Sequence, residues 1–179
     1  MPVASTRRSF VGLLGGAAAI GLGTAGTQAL AADLPAPKGK VILKMAGTIA
    51  NTNVAKDGAA VFDLPMLEAL GMQSFVTTTP WHDGPVKFEG VPMSRLMDFV
   101  GAKGTGVTVK ALNDYVTEIP MEDFTKYPVI LALKRDGVYM PVKDKGPLFI
   151  VYPYDSNPDL KHQRFYSRSA WQVAQIIVK

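Results

Sequence analysis

The sequence predicts an α+β domain built around a mixed, mainly antiparallel sheet with few short helices. Many short runs alternate apolar and polar residues, only a few stretches carry helical spacing, and no strand is followed by the long helix and second strand of a βαβ unit.

Taken in order, "DLPAPKGK" at residues 33–40 is a Pro/Gly/Lys linker leading into "VILKMAG", an alternating strand from Val41. "FDLPMLEALG" reads as a short helix. Asp63 is placed to cap it, Pro65 falls in its first turn, Leu64, Leu67 and Leu70 share a face, and Gly71 ends it. Two strands, "QSFVTTT" and "PVKFEG", then flank a polar knot that contains Trp81. "MSRLMDFVGAKG" spaces Met93, Leu96, Met97 and Val100 at helical period and closes near Gly101.

From there the chain is mainly β: "VTVKAL", "YVTEI", a helical turn at "PMEDFTKY", and "VILALKRDGVYMPV", where Asp136-Gly137 is a hairpin signal between alternating strands. "PLFIVYP" is a further strand, "PYDSNPDLKHQ" a loop, and "WQVAQIIV" a closing strand or short helix.

The first 31 residues read as an address. Arg7 and Arg8 precede a soft Gly/Ala/Leu stretch that ends in Ala29-Leu30-Ala31, a small-x-small cleavage pattern, and the paired arginines after Thr6 fit a twin-arginine export signal. Val11 and Gly12 depart from that pattern, and the general secretory route stays open. The stretch from Phe10 to Ala32 is also long enough to span a bilayer core of about 30 Å, but its glycines, alanines and Ala-x-Ala end favour removal. The expectation is a periplasmic protein with residues 32–40 as linker and 41–179 as one domain.

Removing the signal takes away Arg7 and Arg8 and no acid, so the formal +4 becomes +2, 17 basic against 15 acidic residues. A near-neutral body has no basic footprint for nucleic acid. The chain has no cysteine, which removes disulfides, thiolate metal sites and thiol nucleophiles together. Its histidines, His82 and His162, stand eighty residues apart without metal-ligand spacing, and no Gly-x-Ser-x-Gly elbow is present.

Five blocks in sequence, "TTTPWHDGPVKFEGVPMSRLM", "VKALNDYVTEIPMED", "YPVILALKRDGVYM", "KDKGPLFIVYP" and "RSAWQ", together resemble the sulfite-oxidase-type molybdopterin-binding domain in its small periplasmic form. The likeness covers nearly all of residues 41–179. It implies that fold, and it implies a cysteine shortly before the tryptophan of the first block, whose sulfur binds molybdenum in catalytic members. Here Thr77, Thr78 and Thr79 occupy that region, with Thr77 at the corresponding position.

A neutral hydroxyl does not replace a soft thiolate ligand. The resemblance therefore points to the non-catalytic branch, periplasmic proteins that bind a free pterin and report it to a membrane-bound signalling enzyme. On that reading there is no catalytic residue and no metal, molybdenum is not expected, and the partner is the periplasmic domain of a membrane cyclic-di-GMP signalling receptor. The alternatives are a molybdopterin-dependent oxidoreductase lacking the usual cysteine ligand, and a scaffold subunit with an empty groove.

A pterin is flat and polar-edged, so its receptor needs a stacking face and convergent hydrogen-bonding groups. Trp81 is the first candidate for that face, against a role capping the core from a hairpin end. Trp171 can close a sandwich from the opposite side or sit in the core. Asn113, Asp114 and Tyr115 form a polar group where a carboxylate can accept parallel N–H bonds, and Asn-Asp is equally an ordinary turn. Arg135 and Asp136 belong to the hairpin.

Lys145, in "KDKGP", can meet a ring carbonyl or a phosphate at the groove mouth, or belong to a solvated charge run. Arg168 either lines the same mouth or pairs with an acid, and His82 is a rim contact. Two stacked faces and two charge-assisted bonds, less the cost of ordering, leave about 8 kcal/mol, a micromolar dissociation constant.

Overall fold

The computed structural model describes residues 34–179. The export signal expected at residues 1–31 lies outside the described residues. Among the described residues no helix is long and apolar enough to cross a membrane.

Among the described residues ten strands form two five-stranded sheets. The first has the order β2 (Ala60–Phe62), β1 (Leu43–Gly47), β10 (Val173–Val178), β5 (Gly106–Ala111), β6 (Val116–Pro120). Its β1–β10 pair is parallel, with Met45 opposite Ile176, and its other pairs are antiparallel. The second runs β3 (Gln73–Thr77), β4 (Val86–Pro92), β7 (Ile130–Arg135), β8 (Val138–Tyr139), and β9 (Phe149–Val151) also pairs with β7. With four short helices, α1 (Leu64–Ala69), α2 (Met93–Phe99), α3 (Glu122–Lys126) and α4 (Gln163–Arg168), this is the α+β class expected.

The run "VILAL" lacks alternation because both faces of β7 are buried. Leu131 and Leu133 face a large core shared by both sheets, with Met45, Ile176 and Val109 from the first and Leu67, Leu96 and Phe165 from the helices. Ile130 and Ala132 face a smaller one with Val86, Phe88, Met140, Phe149 and Val151. A strand covered on both sides has no polar face to keep.

Asp63 caps α1 as expected, its carboxylate accepting the Met66 N–H at 3.0 Å. It also accepts the Lys38 and Gly39 N–H groups at 2.7 Å each. The stretch expected as a linker is thus fastened to the domain, with Leu34 buried and its N–H on the Thr52 carbonyl. Asp136 and Gly137 take φ of 50° and 81°, the two positive values a type I′ hairpin needs.

Two elements differ from expectation. The C-terminal stretch resolves as strand β10. The loop expected through Gln163 ends instead in α4, capped by the His162 ring, whose Nδ1 accepts the Arg164 N–H at 3.1 Å. Histidine is not among the usual capping residues, and Phe165 is the one fully buried residue of α4, so no apolar stripe announces it.

The β4–β7 pairing shifts register at Glu89/Gly90, where the strands approach closely. A Cβ at Gly90 would run into the Leu131 carbonyl oxygen and the Ala132 Cα, backbone atoms that cannot swing aside. Gly90→Ala should therefore destabilise the domain by about 3 kcal/mol, measured as a drop in denaturation midpoint with an unchanged m value.

Candidate functional site

Strand β3 delivers the chain into the polar knot, and the three threonines there each do a different job. Thr77 is fully buried. Its hydroxyl accepts the Asp155 N–H at 3.1 Å and donates to the Thr78 carbonyl at 3.2 Å. Thr78 returns the contact, its N–H and hydroxyl donating to the Asp155 carboxylate at 2.6 and 2.7 Å. Lys161 pairs with the same carboxylate at 2.6 Å, and the Lys161 contact followed by those from Thr78 lowers the Asp155 carboxyl to about 2. Thr79 turns the chain, accepting the Trp81 N–H at 3.3 Å and meeting His82 Nδ1 at 2.8 Å.

The clasp aims Trp81 into an aromatic cluster. Its ring meets Phe149, Tyr154, Tyr166 and Trp171 edge-to-face, at centroid distances of 5.6, 6.4, 6.1 and 5.4 Å, the arrangement that opposed ring quadrupoles favour. One side of the indole borders a cleft of about 280 Å³. Trp171, Tyr115, Asn113, Tyr166 and Gln163 share its wall, with Pro80, Ser167, Ser169 and Ala170 completing it. Tyr115 closes one end by donating its hydroxyl to the Ser167 carbonyl at 2.7 Å, tying the β5–β6 hairpin to α4.

Of the residues singled out in the sequence, the cleft gathers Trp81, Asn113, Tyr115 and Trp171. The expected sandwich does not form, because an inserted ring needs parallel plates about 7 Å apart and the two indoles touch at 77°. Asn113 also serves the turn, its Oδ1 accepting the Tyr115 N–H at 3.2 Å. Asp114, with φ of 63°, is the exposed tip of that hairpin and does not line the cleft. Thr77 is spent inside the clasp and does not reach the wall.

Arg168 turns the other way, its guanidinium 2.8 Å from Asp123, which also accepts the Tyr152 hydroxyl at 2.7 Å. Of the two readings left open for it, the structure gives the ion pair. Lys145 lies 5.9 Å over the Trp171 ring, off the cleft wall, and 4.0 Å from Asp144. Sequence reasoning passed over Gln163 and Tyr166, because Gln163 was read as the end of a loop and no element was assigned to the residues after it.

His82 is likewise no rim contact. It packs edge-on to Phe88 at 5.8 Å, and Arg135 NH1 donates to its Nε2 at 3.2 Å. Since a guanidinium only donates, Nε2 must accept, which leaves the Nδ1 proton for Thr79 and keeps the ring neutral. Arg135 forks onto Asp144 at 3.1 and 2.6 Å, so it reaches well beyond the hairpin. Burial first, then the charges of Lys145 and Arg135, hold the His82 pKa below 6.5, against the weaker pull of Asp144 and Asp136.

The structure also bears on whether the site fits a molybdenum centre. The position expected to hold sulfur carries a hydroxyl committed to the Asp155 amide, and the chain has no cysteine anywhere. Among the described residues no three His, Asp or Glu side chains cluster as metal ligands. The donor set does not fit.

Two outcomes follow. Because His82 is held neutral, its contribution to stability is full above pH 6.5 and is lost as pH falls through its lowered folded pKa. NMR titration should place its midpoint below 6.5, and a midpoint at or above that value contradicts the geometry. Arg168→Met leaves the nearly buried Asp123 with only a hydroxyl partner. It should cost about 2 kcal/mol in chemical denaturation, discounted for partial exposure, while leaving the cleft's ligand affinity unchanged.

Compared with known protein families, the chain matches the model of the oxidoreductase molybdopterin binding domain over residues 66–155. No curated protein matches it. The matched interval carries the threonine clasp, Trp81 and the Asn113–Tyr115 hairpin, whereas α4 and Trp171 lie beyond it. It spans half of the 179-residue chain, and the chain belongs to the oxidoreductase molybdopterin binding domain family.

Proposed function

We propose that this domain binds a free pterin without catalysis, in the cleft between the Trp81 turn, the β5–β6 hairpin and α4. The observation that carries the reading is the pairing of a ring-lined cleft with a hydroxyl clasp at the position expected to hold sulfur. What supports a pterin in particular is membership of a family that binds molybdopterin, together with the chemistry of the wall. The Tyr166 hydroxyl, Asn113 Nδ2 and Gln163 Oε1 have no hydrogen-bond partner among the described residues, and they offer donors and an acceptor to a pyrimidinone edge.

The export pattern at residues 1–31 supports a periplasmic location after its removal, and a binding protein without chemistry needs a listener. We place that role with the periplasmic domain of a membrane cyclic-di-GMP signalling receptor, on the strength of the family likeness read from the five sequence blocks.

The geometry lowers the expected affinity. One stacking face supplies about 1–3 kcal/mol, and neutral hydrogen bonds about 0.5–1.5 each. The charged partners and the second face are gone, and one face with three neutral bonds gives at most about 7.5 kcal/mol before the cost of ordering, so binding falls in the high-micromolar to millimolar range.

Isothermal titration calorimetry with neopterin tests the reading. Trp81→Phe, which keeps a ring in the cluster, should weaken binding about threefold. Asn113→Ala, on an exposed turn, should weaken it about five- to tenfold while the denaturation midpoint barely moves. Wild-type affinity in both variants would remove pterin from this cleft.

A further inference from the structure

Molybdopterin ends in a phosphate, and a phosphate in a protein site is held by a cation or a cluster of N–H groups. The side chains of the cleft wall are uncharged throughout: indole, phenol, amide and hydroxyl. No cation on the segments that build or adjoin the wall lines it, the exposed Lys110 of β5 included, and most have partners elsewhere. Arg168 is bound to Asp123. Arg164 lies 4.7 Å over the Phe165 ring. Lys161 is bound to Asp155, Arg135 forks onto Asp144, and Lys145 sits between Asp144 and the Trp171 ring, off the cleft wall.

The charge at the tip of the hairpin has the opposite sign. Asp114 is exposed at the turn tip, beside the wall residues Asn113 and Tyr115, and has no ion-pair partner among the described residues. A dianionic ester placed there gains no counter-charge and meets a carboxylate. The volume agrees: about 280 Å³ lies at the foot of the roughly 300–1,000 Å³ range of ligand pockets, enough for a bicyclic ring and a short side chain.

We infer that the cleft has no phosphate subsite, and that its ligand class is the uncharged, unphosphorylated pterin as distinct from a phosphate-bearing pterin cofactor. This rests on the pterin reading above and adds to it the chemical form of the ligand. Lys145, which sequence reasoning had offered to a phosphate, and Arg168, which it had offered to the groove mouth, are both assigned by the fold to other work.

The test titrates the chain lacking residues 1–31 with neopterin and with its monophosphate ester, by calorimetry, at low and at near-molar salt. The expected result is that the ester binds equally or more weakly than neopterin, that any gap narrows with salt, as a screened repulsion does, and that Lys145→Gln changes neither affinity by more than twofold. An ester that binds at least threefold tighter, with salt weakening it or Lys145→Gln abolishing the gain, overturns the inference and leaves the pterin reading standing. Binding of neither compound removes the pterin reading, and this inference with it.

Discussion

One half-buried indole holds the domain's two cores together. Trp81 packs against both the large core between the sheets and the smaller core on the outer face of β7, and it reaches both from a turn made almost entirely of polar residues. The turn stays ordered because its threonines and its histidine each have a partner. Thr77 and Thr78 interlock with Asp155, and Thr79 links the Trp81 amide to His82. Burial of the ring and satisfaction of the turn support one another. An indole swung into solvent would leave four neighbouring rings without an edge to pack on, and a turn without its clasps could not aim the indole.

That mutual support shapes the cleft. Its walls come from three places far apart in sequence, the knot after β3, the β5–β6 hairpin and α4, and specific bonds fasten each of them to the domain. The Tyr115–Ser167 hydrogen bond joins hairpin to helix. The Tyr154 hydroxyl meets Ser169 at the end of α4, where Ser169 also donates to the Phe165 carbonyl. A site assembled in this way is set before any ligand arrives, and the ordering cost of binding falls mainly on the ligand.

Much of the fold was legible from the residues alone. The Asp63 cap, the Asp136-Gly137 turn and the apolar spacing of α2 are local signals, and each element formed where its signal stood. The unbroken "VILAL" run disclosed a strand but not that both its faces are covered, since burial on two sides is a property of the whole arrangement. Helix α4 was illegible because its cap is a histidine and its buried surface a single phenylalanine. At the site, residue types were readable and directions were not. Arg168 stands three residues from Trp171, but its orientation is set by Asp123, 45 positions away, and nothing local in the sequence encodes that pairing.

The threonine clasp bears on how such a domain can change over evolutionary time. Beneath the Asp155 amide, position 77 needs a good acceptor, and a thiol is a poor one. Exchanging the hydroxyl for sulfur would supply a soft ligand and, in the same step, slacken the backbone that carries Asp155. A substitution at position 77 therefore acts on the ligand set and on the turn together.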